Sequence, residues 1–177
     1  MACVLTSGRS EPCKDSAGGI KKAYFIDFLA DAFTISAGQV TAIAVGVTEA
    51  FGYELRANNN KFNESLITDK NTGSRMNTQT LELRLIKQTQ ASAQEIMLLS
   101  AARPYIVVVG NDGSHKLMGA SEGCDLTASN IDSGNARLDF NGYDLTFTAE
   151  ELLLAPYLDA STITALEALE SATVIAP

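Results

Sequence analysis

Tryptophan is absent from the chain and histidine occurs once, as His115, among 177 residues. Without tryptophan, and with its five tyrosines dispersed, the chain lacks an evident aromatic platform for stacking a sugar ring. One histidine and no Gly-x-Ser-x-Gly elbow give no footing for a Ser-His-Asp hydrolase. Cysteine is scarce as well, at Cys3, Cys13 and Cys124. Together with His115 these are four potential zinc ligands, but the close cysteine pairs usual in structural zinc sites are missing. The thiols read as reduced, outside any disulfide framework. The expectation is a protein without metal or cofactor.

No apolar run approaches the ~20 residues of a membrane helix. The start, "MACVLTSGRSEPCKDSAGG", lacks the basic segment and apolar core of a secretory signal, so a cytoplasmic site of synthesis and no membrane partner are expected. Positive charge is also short: 13 Lys and Arg face 21 Asp and Glu, a formal net charge of −8 and a pI near 4.6. A general binder of the phosphate backbone needs the opposite balance. A surface that DNA slides past without adhering does not, because a negative wall repels phosphates.

What is present is a β-rich chain of ordinary hydrophobic content, 46%, long enough for one domain spanning residues 1–177. Residues 1–20 are polar and rich in Gly and Ser and read as an extended arm. "KAYFIDF" (22–28) alternates as a strand, and "DAFTISAGQVTAIAVGV" (31–47), broken by glycines, as one or two short strands. "YIVVVG" (105–110) is near-continuously apolar and predicts a strand buried on both sides, followed by an Asn/Asp/Gly turn and "HKLMGA". "CDLTASNI", "ARLDF" and "YDLTFTAEE" predict three further strands. One helix is clear in "SAQEIMLLSAAR", where Ser92-x-x-Glu95 forms a capping box and Ala93, Ile96, Met97 and Ser100 make an apolar stripe. A short helix is expected in "DASTITALEALESA" (159–172), with Ile163, Leu166 and Leu169 inward and Asp159 or Ser161 as cap, within a C-terminal helix or arm over 157–177. The class is mainly β, a sandwich or barrel with one packed α-helix, a long extended hairpin and a short C-terminal helix.

The hairpin occupies residues 58–80 and its flanks. An asparagine triplet, Asn58, Asn59 and Asn60, favours a turn or bulge before "FNESLIT". The return strand places Leu81, Leu83 and Leu85 on one face, and Thr80, Glu82, Arg84 and Ile86 on the other. Between them lies a polar tip, Asp69, Lys70, Asn71, Thr72, Gly73, Ser74, Arg75, Met76 and Asn77. Asp69-x-Asn71-x-Gly73 imitates part of a calcium loop but lacks the terminal Glu. A hairpin with two exposed edges invites pairing with another chain. The tip residues are therefore candidates for contact between copies. Carboxylates fall in neighbouring positions at Asp27 and Asp31, Asp139 and Asp144, and Glu150 and Glu151, beside turns and strand ends where solvated acids are common.

The N-terminal "CVLTSGRSEPCKDSAGGIKKAYFIDF" resembles the start of bacteriophage virion proteins, especially from phages of Bacteroidetes-type hosts. The stretch "RPYIVVVGNDGSHKLMGASEGCDLTASNIDSGNARLDFNGYDLTFTAEE" is similar to a phage tail protein. The order of strands, long hairpin, helix and strands resembles the tail tube family over most of the chain. The resemblance implies a structural protein without catalysis, located in the virion tail and assembled in the bacterial host cytoplasm. It implies stacked, usually sixfold, rings of identical copies, meeting other phage tail proteins. Subunit sheets would join into a barrel lining a channel through which DNA passes without specific binding. Glu82 and Asp139, on polar faces of expected strands, are the candidates for that lining. A connector, terminator or baseplate ring is the alternative within phage particles, and a carbohydrate-binding sandwich the alternative outside them.

Overall fold

The computed structural model describes residues 7–10, 17–56 and 59–171. Eleven strands and two helices follow one another: β1 (Ile20–Ile26), β2 (Phe33–Ser36), β3 (Gln39–Ile43), β4 (Phe51–Glu54), β5 (Lys61–Thr68), β6 (Arg75–Ile86), α1 (Gln90–Ala101), β7 (Tyr105–Gly110), β8 (His115–Met118), β9 (Asp125–Asp132), β10 (Gly142–Glu151), β11 (Tyr157–Leu158) and α2 (Ala160–Ala168). They build a seven-stranded sheet ordered β2-β3-β11-β8-β7-β1-β4 and a four-stranded sheet ordered β5-β6-β10-β9.

The two sheets share one apolar layer, so the architecture is a sandwich. From the larger sheet come Ala23, Phe25, Ile106, Val108 and Met118, and from the smaller Leu81, Leu83, Leu145 and Phe147. The rings of Phe25 and Phe147 meet across this layer at 5.2 Å. The larger sheet is dry on its second face too, where Tyr24, Ile26, Tyr105, Val107 and Val109 pack with Leu166 of α2. Burial on both sides explains the unbroken apolar run of β7, which lies between β8 and β1.

Local chemistry sets the turns and helix ends. β2 and β3 are joined through Ala37 (φ 51°) and Gly38 (φ 82°), the paired positive φ of a tight hairpin. Gly113 (φ 83°) turns the chain between β7 and β8, with Gly110 N–H donating to the Ser114 carbonyl. Asp159 caps α2 by accepting from Thr162 N–H at 2.7 Å. Hydrogen bonding by Thr162, with the bond from the Ser161 hydroxyl, holds the Asp159 carboxyl below its ordinary value.

Several expectations are corrected. Helix α1 starts earlier than the Ser92 box: Thr89 is its cap and accepts from Ser92 N–H at 3.1 Å. Ile96 is its buried residue, whereas Met97 is 74% exposed, because the helix meets the core along a narrow line. "ARLDF" is a loop, not a strand, since Asp139 turns back to bond the backbone before it. Tyr157 and Leu158 form a short strand, parallel to β3, that the sequence reading placed in a helix or arm. Cys3, Cys13, Asn58 and residues 172–177 lie outside the described residues.

Phe147→Ala should cost about 3–5 kcal/mol of stability by removing a fully buried ring from between the sheets. Guanidinium unfolding measures it, and a loss below 1 kcal/mol, roughly the cost of a surface change, would contradict the assigned core.

Candidate functional site

The four-stranded sheet turns one face to the core and the other outward. Alternation along β6 sends Thr78, Thr80, Glu82 and Arg84 outward, and along β10 Asp144, Thr146, Thr148 and Glu150. β5 adds Lys61, Asn63 and Ser65 beside them. Glu82 is exposed and stands between Lys61 and Thr146 in the pairing register. Arg84 makes a two-pronged contact with Asp144 at 2.6 and 2.7 Å and lies 4.3 Å from the centre of the Phe140 ring. With that pair neutralised, Glu82 is flanked by Lys61, and Glu150 lies further along the sheet beside Thr78. The face is polar, and around Asn59, Lys61, Glu82, Arg84, Asp144 and Thr146 it forms an open depression of about 460 Å³.

Among the described residues both borders of this sheet are open. β5 pairs with β6 alone and β9 with β10 alone. Each therefore offers a row of unpaired backbone N–H and C=O groups.

The hairpin β5–β6 is mostly part of the sheet. β10 accompanies β6 from Ile86 to Asn77, so only the pairs Ile67–Met76 and Thr68–Arg75 and the turn stand beyond it. The turn is self-satisfied: Asp69 N–H donates to the Ser74 carbonyl, Gly73 N–H to the Asp69 carbonyl, and Asn71 N–H to Asp69 Oδ1 at 2.8 Å. Gly73 has φ 67°. Lys70, Asn71, Thr72 and Ser74 are exposed. Asn77 departs from the expected tip, being fully buried.

Asn77 belongs to a polar cluster that sequence reasoning missed. Its Nδ2 donates to Glu64 Oε1 at 3.1 Å and to the Leu153 carbonyl at 3.2 Å. Glu64 Oε1 also accepts from Ala155 N–H at 2.7 Å, and Lys116 Nζ lies 3.8 Å from Glu64 Oε2. Next to it, Gln79 accepts from Gly119 N–H, and Glu151 accepts from both the amide and the hydroxyl of Ser121. These bonds fasten residues 152–155 to the hairpin. They leave Leu152, Leu153 and Leu154 exposed at 67, 59 and 59%, close to Leu66, Ile67 and Met76. The signal in the sequence was "EELLLAP": three successive leucines directly after a strand that buries only one face.

The other candidates separate. Asp139 sits in the loop between β9 and β10, where its Oδ2 accepts from Asn135 and Ala136 N–H at 2.9 and 2.6 Å, so its role is to close that loop. Glu150 and Glu151 point to opposite sides of β10. His115 Nδ1 lies 3.0 Å from its neighbour's carbonyl at Gly113. Burial pushes the Cys124 thiol well up, away from the thiolate form a nucleophile needs. Among the described residues no group of three or more His, Cys, Asp or Glu could hold a metal ion.

Glu64→Ala should strand two buried donors, costing about 1–3 kcal/mol, and should speed hydrogen exchange at the Ala155 amide. Unchanged exchange there would disprove the fastening role. No protein-family model, no curated protein and no solved structure matches the chain.

Proposed function

We propose that this chain is a structural virion protein, a phage tail tube subunit whose copies assemble into stacked hexameric rings around a channel for DNA. The observation that carries the reading is the four-stranded sheet, open at both borders among the described residues and polar on its outer face. In this reading β9 of one copy pairs with β5 of the next. The contact is heterologous, so successive copies turn and close into a ring, and pairing satisfies the backbone groups that each border leaves free.

The outer face then becomes the channel wall. Glu82 and Glu150 present carboxylates to passing phosphates, and the like charges keep DNA from sticking. The protein acts by position and not by turnover, needs no cofactor, and meets other tail proteins at the ends of the tube. It is assembled in the bacterial cytoplasm and resides in the virion tail. A connector, terminator or baseplate ring uses the same lateral contact and stops after one ring.

Negative-stain electron microscopy of the concentrated, purified chain should show tubes or stacked rings with a central hole. Single rings would transfer the reading to a connector or terminator, and particles without a hole at every concentration would refute it. Replacing residues 68–75 by Asn-Gly should leave the melting temperature within a few degrees and abolish stacking. Unaltered tubes from that variant would remove the tip from assembly. Glu82→Lys combined with Glu150→Lys should make assembled protein retain DNA at low salt, with retention lost as salt rises. Equal DNA retention by both proteins would exclude this face from the channel.

A further inference from the structure

Three side chains with the chemistry of an amide-forming reaction meet where the two sheets close on each other. Lys116 comes from β8 of the larger sheet, on the side of Met118, which lies in the shared apolar layer. Glu64 of β5 and Asn77 of β6 come from the smaller sheet, on the side of Phe62 and Leu81, which belong to the same layer. One carboxylate touches both of the others. Glu64 Oε2 lies 3.8 Å from Lys116 Nζ, and Glu64 Oε1 accepts from Asn77 Nδ2 at 3.1 Å. The surroundings are largely dry and aromatic. Asn77 has no exposed surface, and the side chains of Glu64 and Lys116 are 16 and 27% exposed. Lys116 Nζ lies 4.9 Å from the centre of the Tyr157 ring and 5.7 Å from that of Phe62. Asn77 Oδ1 is buried and receives no hydrogen bond from the described residues, a costly state for an acceptor.

We infer that these residues carry out one self-processing step, in which Lys116 and Asn77 join through an isopeptide bond with Glu64 as the acid–base group. The flexible lysine stem swings Nζ onto the Asn77 side-chain carbonyl, and its N–H supplies the donor that Oδ1 lacks. Lys116 gives one proton to Glu64, and the freed amine attacks Cγ, pushing the carbonyl electron pair onto Oδ1. Glu64 then hands its proton to Nδ2. The Cγ–Nδ2 bond breaks, its electron pair leaves with the ammonia, and the carbonyl re-forms. Glu64 takes the surplus proton from Nζ and passes it to the ammonia, which departs as ammonium while Glu64 returns to a carboxylate. An ammonium side chain and a primary amide thus become a secondary amide and free ammonium, with no oxidant or cofactor. Burial of Asn77 keeps water from hydrolysing the same amide. The Lys22–Glu170 pair, closer at 2.6 Å, has Tyr24 as its third member, which offers no acyl carbon to attack. The product ties β6 to β8, and so one sheet of the sandwich to the other, once per chain and without turnover. The step is independent of the tube reading.

Intact-mass spectrometry of the denatured full chain tests the step, after the folded protein has been held at neutral pH until its mass is constant. Wild type should weigh one ammonia less than its sequence requires. Trypsin should release a branched peptide joining residues 76–84 to the segment that carries Lys116. Lys116→Arg keeps the charge, removes the nucleophile and should retain the full mass. Glu64→Gln should leave unlinked chains where wild type has finished, a slowing of about 100-fold or more, as for loss of a general acid–base group. Circular dichroism checks that both variants fold, and the wild-type branched peptide decides even where they do not. Wild-type protein of full mass, or an ammonia loss that persists in Lys116→Arg, overturns the inference and leaves an ordinary ion pair. A Glu64→Gln chain that links at the wild-type rate overturns the role given to Glu64. The mass is read on separated chains, so neither result depends on whether rings or tubes form.

Discussion

The alternation of residues along β6 decides which surfaces of the molecule are dry and which are wet. β6 is flanked on one side or the other along all of its twelve residues, and on both sides, by β5 and by β10, from Asn77 to Glu82. In its register Leu81 and Leu83 enter the core and Glu82 faces water. A slip of one residue would exchange these sets and place Glu82 and Arg84 between the sheets. The slip is also opposed by Gln79, whose buried amide oxygen accepts from Gly119 N–H across the sandwich and would lose that partner. The same register puts Asn77 under the leucine triplet and the turn at the free end. Core, outer face and the placement of the turn are thus consequences of a single strand's phase.

The larger sheet makes this arrangement rigid. Its central strands contribute alternate residues to two apolar layers, Ile106 and Val108 to one and Tyr105, Val107 and Val109 to the other. α2 covers the second layer through Leu166, helped by Thr162, whose hydroxyl donates to the Val40 carbonyl at 3.1 Å. A plate buried on both faces has no surface left for recognition at its centre. Exposed residues remain at the ends of the larger sheet, as at Ile35 and Phe51, but the open sheet face is that of the smaller sheet, where the proposed channel wall lies.

How much of this was legible depended on whether a pattern was local. The β7 run, the break at Gly38, the cap at Asp159 as one of two candidates and the inward leucines of β6 are each set by neighbouring residues, and sequence reading found them. "ARLDF" has a strand's alternation, but Asp139 finds backbone donors three and four residues before it, and that local bond wins. Met97 fits a helical stripe, yet α1 touches the core mainly through Ile96 and Leu99, so half of the stripe is left outside. The polar cluster was invisible because Glu64, Asn77, Lys116 and Ala155 come from distant parts of the chain. The hairpin was recognised but its free length was overestimated, since pairing with β10 is a long-range fact.

Net charge sets the sense in which such a chain responds to salt. With a formal charge of −8, copies repel one another at long range, which restrains open strand borders from pairing at random in dilute solution. Added salt screens that repulsion beyond about 8–10 Å, whereas backbone pairing acts at contact and survives it. In the proposed ring, association through the open borders therefore strengthens with ionic strength. Adhesion to DNA has the opposite dependence, because it is driven by release of counterions from the phosphates. A wall carrying Glu82 and Glu150 and a body that coheres better in salt are two results of the same acidic balance. In the proposed tube, the first keeps DNA from adhering and the second favours assembly.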